Sequence, residues 1–340
     1  MNSKSGRVFR CGVIGYSGAF SMGKMHLESM QLNPRMEASA VCELDEGLLA
    51  VAAENWPGIA TYSRVGDMLR HADLDLVAII TPHNTHARLA LQCLDAGVNV
   101  VTEKPMAVTT IEIKAMIAMA KRRKVMLSTF HNRRWDGDFM VLRDLIRKEK
   151  LIGPVFKIEA FMGGYRKQGD WWRSDRKISG GAIYDWGAHF MDWILNIAGD
   201  DIDWVSGYQV KNPEWRKAYT NEDHSEVTVK FKGGIMSHLE ITNLSMDRRP
   251  RWRVLGERGS IVAGDGAFQV QSLVNGREMS ASVPYGKQDY HAYYANVYRH
   301  LQGRAKLAVT AESAARVIAV LEAANTSATR GSAPVKPAYK

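Results

Sequence analysis

Three features of the chain predict an α/β fold in two parts, a doubly wound parallel sheet followed by an α+β domain on a mostly antiparallel sheet. The first 130 residues alternate short apolar runs with helical patterns, as repeated βαβ units do. Beyond about residue 150 the runs are separated by turn signals, the pattern of an antiparallel sheet. The length, 340 residues, is about two domains' worth at roughly 100 to 200 residues each. The expected division is 1–130, 131–330 and a C-terminal arm at 331–340.

In the first part, strands are expected at 7–14, 36–42, 76–80, 99–103 and 125–129. Between them, helical spacing with plausible caps covers 22–32, 45–54, 85–96 and 110–123, the first closed by Asn33 and Pro34. The second part opens with a strand at 154–162, a polar aromatic loop and a helix at 184–198. Strands at 226–231, 235–243, 252–255 and 267–273 follow, then helices at 289–302 and 312–328. Eight of the nine tryptophans lie after residue 134, so the large aromatic surfaces belong to the second part.

Composition narrows the class. With 46% hydrophobic, 24% charged and 9% aromatic residues, the chain is neither disordered, collagen-like nor a disulfide scaffold. Cys11, Cys42 and Cys93 stand far apart with no CxxC pairing, so no disulfide framework or zinc site is expected and a reducing cytoplasm fits. No apolar run approaches the roughly 18 residues of a membrane helix. The N-terminal stretch is broken by glycines and lacks a cleavage site, which makes it a first strand rather than a signal peptide. The 45 basic against 36 acidic residues leave a net charge of +9, compatible with a polyanion surface or an acidic substrate. The dense basic runs, 121–124 and 248–253, lie at a helix C-terminus, where cations complement the dipole, and beside a strand, so neither nucleic acid nor membrane is expected as a partner.

The first strand runs into a glycine-rich turn, Gly12, Gly15, Ser17, Gly18, Phe20, Met22 and Gly23, that opens the first helix. A dinucleotide site needs such a tight turn, close backbone approach and a free helix N-terminus. The second strand ends at Glu43, where a carboxylate can accept both ribose hydroxyls and would repel a 2′-phosphate, so NAD is expected over NADP. Glu43 could instead cap the helix near Asp45. Two further strand ends run into Thr81, Pro82, Asn84 and His86, and into Glu103, Lys104 and Pro105, at the edge where open α/β sheets bind ligands. All of these are candidate cofactor contacts, and the proline after Lys104 restricts the preceding backbone and so directs its ammonium.

In the second part, Gly180 and Gly181 precede Asp185 and His189, which at i and i+4 on a helix share one face. Histidine can take a hydroxyl proton at neutral pH. Asp192 lies three residues further on, but with no second His or Cys nearby a metal site is not expected.

These segments, GVIGYSGAFSMG, TPHNTH, VNVVTEKPMA, HNRRWDGDF and SGGAIYDWGAHFMDW, together resemble the Gfo/Idh/MocA oxidoreductases over about residues 8–330. The resemblance implies an NAD-binding Rossmann domain, then an open sheet that carries a sugar site and joins subunits as a homodimer or homotetramer. By the same matches Lys104 corresponds to the family's catalytic lysine, and Asp185 and His189 to its acid and base positions. Ser17 with the inserted Gly18, Ala19 and Phe20 departs from the pattern and bears on the phosphate loop. The implied activity is oxidation of a secondary hydroxyl on a sugar, polyol or glycoside. Trp135, Trp171 and Trp172 would face the sugar ring, with Arg134 and Arg173 on its hydroxyls, unless those tryptophans fill the core. Arg134, Arg173, Arg176 and Lys177 add positive charge there, which suits an acidic or sulfonated sugar. Alternatives are a glycoside hydrolase working through transient oxidation by bound NAD, and a non-catalytic NAD or sugar sensor.

Overall fold

The computed structural model describes residues 6–16, 21–199, 201–215 and 219–338. The chain forms two compact units, residues 1–132 with 291–315 and residues 133–290 with 316–340. Among the described residues no helix is long and apolar enough to cross a membrane.

In the first unit, β1 (Phe9–Ile14), β2 (Met36–Cys42), β3 (Ala60–Tyr62), β4 (Leu76–Ile79), β5 (Asn99–Thr102) and β6 (Leu127–Thr129) make one parallel sheet. Its order is β3-β2-β1-β4-β5-β6, the doubly wound arrangement whose direction reverses between β1 and β4. Leu76, Val77, Ala78 and Ile79 are all fully buried, as a strand covered on both faces requires. The crossovers are α1 (Met22–Gln31), α2 (Glu46–Asn55), α3 (Val65–His71), α4 (His86–Asp95) and α5 (Thr110–Arg123).

The second unit begins with α6 (Gly137–Asp144), β7 (Val155–Gly163), the single turn α7 (Arg176–Ser179) and α8 (Trp186–Ala198). It continues with β8 (Ile202–Val210), β9 (His224–Phe231), β10 (Met236–Thr242), β11 (Trp252–Gly256), β12 (Gly259–Ala263), β13 (Ala267–Val274) and β14 (Arg277–Pro284). These strands form an eight-stranded sheet in the order β14-β13-β12-β11-β7-β10-β9-β8. Only β7 and β10 run parallel; the other pairs are antiparallel. After it come α9 (Ala292–Leu301), which returns to the first unit, and α10 (Ala311–Ala328). The C-terminal arm lies along β8, where Val335 pairs with Val205.

Elements absent from the sequence expectation are β3, α3, α6, α7, β8, β12 and β14. In β14 only Val283 is partly sheltered, so no apolar alternation marks it. In β8, Gly207 interrupts the pattern because α10 passes so close that a Cβ there would lie 2.1 Å from the Ala324 carbonyl. α8 begins two residues later than expected: Gly180 and Gly181, at φ +87° and +127°, lead into a short 3-10 turn (Ala182–Tyr184) first.

Candidate active site

The first unit gathers a dinucleotide cradle at the carboxyl ends of β1 and β2. Gly15 sits at φ +93°, and a Cβ there would stand 2.1 Å from the Ile80 carbonyl, so only glycine allows this turn. A Cβ on Gly23 would press to 2.8 Å from the Gly15 carbonyl, which fixes how closely α1 follows β1. Met22 opens α1, and no acidic residue occupies its first turn, leaving the positive helix end suited to an anion. Ser17, Gly18 and Phe20 lie outside the described residues.

The Glu43 carboxylate accepts the Tyr16 amide at 2.7 Å through one oxygen and the Leu44 and Asp45 amides at 2.6 and 3.3 Å through the other. The helix cap is Asp45 itself, whose side chain accepts from Leu48 N at 3.0 Å. Glu43 therefore tethers the glycine turn to the end of β2, beside Tyr16, whose hydroxyl accepts from Trp56 Nε1 at 3.0 Å.

At the ends of β4 and β5, His86 joins two turns. It is fully buried, with Nδ1 2.8 Å from the Pro105 carbonyl and Nε2 2.8 Å from the Thr81 carbonyl. Burial lowers its pKa, and the hydrogen bonds to those two carbonyls offset that only in part. This corrects the expectation for His86: its ring ties Thr81 to the cis Lys104-Pro105 turn instead of reaching a ligand. Thr81 also shares a 2.6 Å hydroxyl contact with Thr85, Pro82 is half-buried and Asn84 is exposed. Glu103 likewise faces inward. One oxygen lies 3.1 Å from His26 Nε2 and the other accepts the Lys104 amide at 2.9 Å. Burial raises the Glu103 pKa, but the bond and charge of His26 with the charge and amide of Lys104 outweigh it and hold the carboxyl below the usual range.

In the second unit, Asp185 occupies the cap position before α8 and His189 lies in the second turn. His189 is 5% exposed and packs between Trp186 and Trp193, with ring centroids at 5.6 and 6.4 Å. Asp192, one turn further, is bound in a two-pronged contact by Arg134, at 2.7 Å to Nε and 2.5 Å to the terminal nitrogen. Arg134 is thus committed to a buried carboxylate, which corrects its reading as a group reserved for substrate. Trp135 is half-buried, and its carbonyl accepts Asp289 N at 3.1 Å. Among the described residues no cluster of three or more His, Cys, Asp or Glu could hold a metal.

The aromatic loop is self-organised as well. Arg173 lies over both Trp171 and Trp172, 4.6 and 4.3 Å from their ring centres, so its guanidinium covers part of the indole surface expected to meet a sugar. Behind it stand three buried residues that the sequence reading missed. Asn221 donates to the Arg173 carbonyl at 2.6 Å, Glu222 accepts from Ile183 N at 3.0 Å and from Arg176 at 2.9 Å, and Asp223 accepts from the Tyr219 hydroxyl at 2.6 Å. Written as a polar run before a strand, these residues resemble any surface loop, so their sequence carries no signal of burial. A Cβ on Gly181 would meet the Glu222 carboxylate at 3.1 Å, which ties the double glycine to that anchor.

Comparison with known proteins agrees with this architecture. Residues 9–131 match the model of an oxidoreductase family described as an NAD-binding Rossmann fold, and residues 143–336 match its C-terminal alpha/beta domain. The uncharacterized oxidoreductase YdgJ of Escherichia coli (strain K12) is 28% identical over 337 residues, 92% of this chain and 94% of the relative. The scyllo-inositol 2-dehydrogenase (NADP(+)) IolW of Bacillus subtilis (strain 168) is 26% identical over 296 residues, 79% of this chain and 81% of the relative. The crystal structure of an NAD-binding protein from Listeria innocua superposes with TM-score 0.83 at 25% identity, covering 94% of this chain and 96% of that one. With both halves matched in sequence and the doubly wound and mixed sheets in place, the chain is a member of the Gfo/Idh/MocA oxidoreductase family.

Proposed function

We propose that this oxidoreductase oxidises a secondary hydroxyl of a polyol or sugar with a nicotinamide dinucleotide. The observation that carries the reading is the Lys104 turn. His86 fastens it to the end of β4, so that Lys104 stands at the carboxyl edge of a doubly wound sheet, where such sheets bind ligands. The cradle fits the dinucleotide: Gly15 and Gly23 leave no room for a Cβ, the α1 N-terminus is free of acid, and Glu43 closes β2. When bound, the nicotinamide supplies the acceptor for the carbinol hydrogen and its electron pair.

His189 takes the hydroxyl proton. Its Nδ1 is buried, so the proton arrives at Nε2. Lys104 donates to the oxygen as negative charge builds on it, and Asp185 accepts from a neighbouring hydroxyl to hold the substrate in register. The Glu43 charge disfavours a 2′-phosphate, which supports NAD over NADP, although the relative IolW is named for NADP(+).

A neutral polyol is preferred over an acidic sugar. Two of the four cations expected near the substrate, Arg134 and Arg176, are already neutralised by buried Asp192 and Glu222. The family's IolW is named for an inositol, which points the same way. The half-buried and exposed residues along β8, such as Trp204 and Tyr208, suit contact with a second copy, giving a homodimer or homotetramer.

The test is a panel of inositols, neutral sugars, uronates and aryl glycosides, each with NAD and NADP, following reduced nicotinamide and released aglycone. Reduced nicotinamide accumulating with an inositol or neutral sugar, faster with NAD, is the expected result. Free aglycone with only substoichiometric NAD would replace oxidation with hydrolysis. No turnover at all despite dinucleotide binding would favour a sensor.

A further inference from the structure

Behind the Lys104 turn lies a buried chain of polar groups from three parts of the sequence. The Tyr294 hydroxyl, on α9, is 2.6 Å from His26 Nδ1 on α1, and His26 Nε2 is 3.1 Å from Glu103 at the end of β5. The second oxygen of Glu103 accepts the Lys104 amide at 2.9 Å. Tyr294 and His26 are fully buried, and the His26 ring lies 4.3 Å from that of Phe130. A carboxylate only accepts, so His26 Nε2 carries a proton toward Glu103, and the Tyr294 hydroxyl is the group placed to hold Nδ1. Burial keeps the Tyr294 phenol protonated, raising its pKa well above the ordinary value.

We propose that Tyr294, His26 and Glu103 act as a positioning chain that aims Lys104. None of the three touches a reacting atom; each acts through the next. The proposal rests on the assignment of Lys104 to the reaction. Remove the His26 donor and nothing on α1 opposes the burial of the Glu103 charge, so the carboxyl takes up a proton, and the charge facing Lys104 is lost. The groups facing this site are His26 from α1, Tyr294 and Tyr293 from α9, His86 from α4, Cys11 from β1 and Lys104 itself.

The pH dependence follows. In the native chain the Glu103 pKa is depressed, so its ionised form contributes stability above the ordinary carboxylate range, lost only as pH falls through the depressed value. In His26→Leu the same carboxyl is raised by burial and disfavours the fold at neutral pH. The gap in unfolding midpoint between the native protein and His26→Leu is therefore wider at pH 8 than at pH 5.

The experiment compares the full-length protein with His26→Leu, His26→Gln and Tyr294→Phe, measuring thermal unfolding at pH 5 and 8 and kcat/KM from pH 5.5 to 8 on the best substrate of the panel. The unfolding comparison needs no substrate. We expect His26→Leu to lose activity on the acid side, its ratio of kcat/KM at pH 8 to that at pH 5.5 rising about tenfold or more. His26→Gln, whose amide donates where Nε2 does, restores most of the native profile, and Tyr294→Phe, which loses one oxygen and keeps the ring, falls between. A gap that is the same at both pH values would show His26 to be mere packing and overturn the proposal. Lys104→Met distinguishes the two layers. If it turns over normally while the pH-dependent gap remains, the role of Lys104 fails. If it is inactive and the gap is pH-independent, the positioning chain fails alone.

Discussion

At the scale of single residues, the most consequential contact in the second unit is the Arg134 grip on Asp192. Their side chains are 11% and 3% exposed, so neither charge has water to fall back on. Removing one partner of such a pair strands the other, at a cost of about 3 to 5 kcal/mol. Asp192→Ala should therefore lower unfolding stability by about that much in chemical denaturation, and the double replacement Asp192→Leu with Arg134→Met should recover most of it. A single mutant as stable as the native protein would show that Arg134 relaxes to solvent instead. The same contact explains a limit of sequence reading. Arg134 and Asp192 are 58 positions apart, and nothing local announces that they meet. By contrast, the tight turn at Gly15 is legible, because a turn needing positive φ is a local demand.

Helices show how far local signals reach. The α5 boundaries, Thr110–Arg123, coincide with those the sequence predicts because both ends are marked. Thr109 and Glu112 form a reciprocal capping box, Thr109 Oγ1 accepting from Glu112 N at 3.3 Å and Glu112 Oε2 from Thr109 N at 3.0 Å. At the other end Arg122 and Arg123 pair with Asp95 and Lys121 pairs with Glu312, so this basic run is spent on intramolecular contacts. Thr109→Ala should cost about 1 kcal/mol, read as a lower midpoint in urea, while leaving dinucleotide affinity intact. Strands of the second sheet carry weaker local signals. β9 alternates buried and half-buried residues and is legible for that reason, whereas β14 exposes nearly every side chain and is held by its ladder to β13 rather than by an apolar face.

At the scale of the whole molecule, the two sheet classes were legible because they differ in period: buried apolar runs in the first half, alternation in the second. The sharing of residues between units was not, since α9 returns to the first unit by packing, Phe9 against Tyr298 and Ser128 against Tyr293, and no linker composition marks that return. In three dimensions Lys121, Arg122 and Arg123 of α5, together with Arg134 and Arg176, each lie against a carboxylate, Arg122 and Arg123 sharing Asp95. The central claim is that Lys104 and His189 carry oxidation of a hydroxyl at a bound dinucleotide, and the most direct measurement is turnover and dinucleotide affinity of Lys104→Met and His189→Ala side by side. Both variants should bind the dinucleotide as the native chain does and lose at least about 100-fold in turnover; native turnover in either would contradict the account.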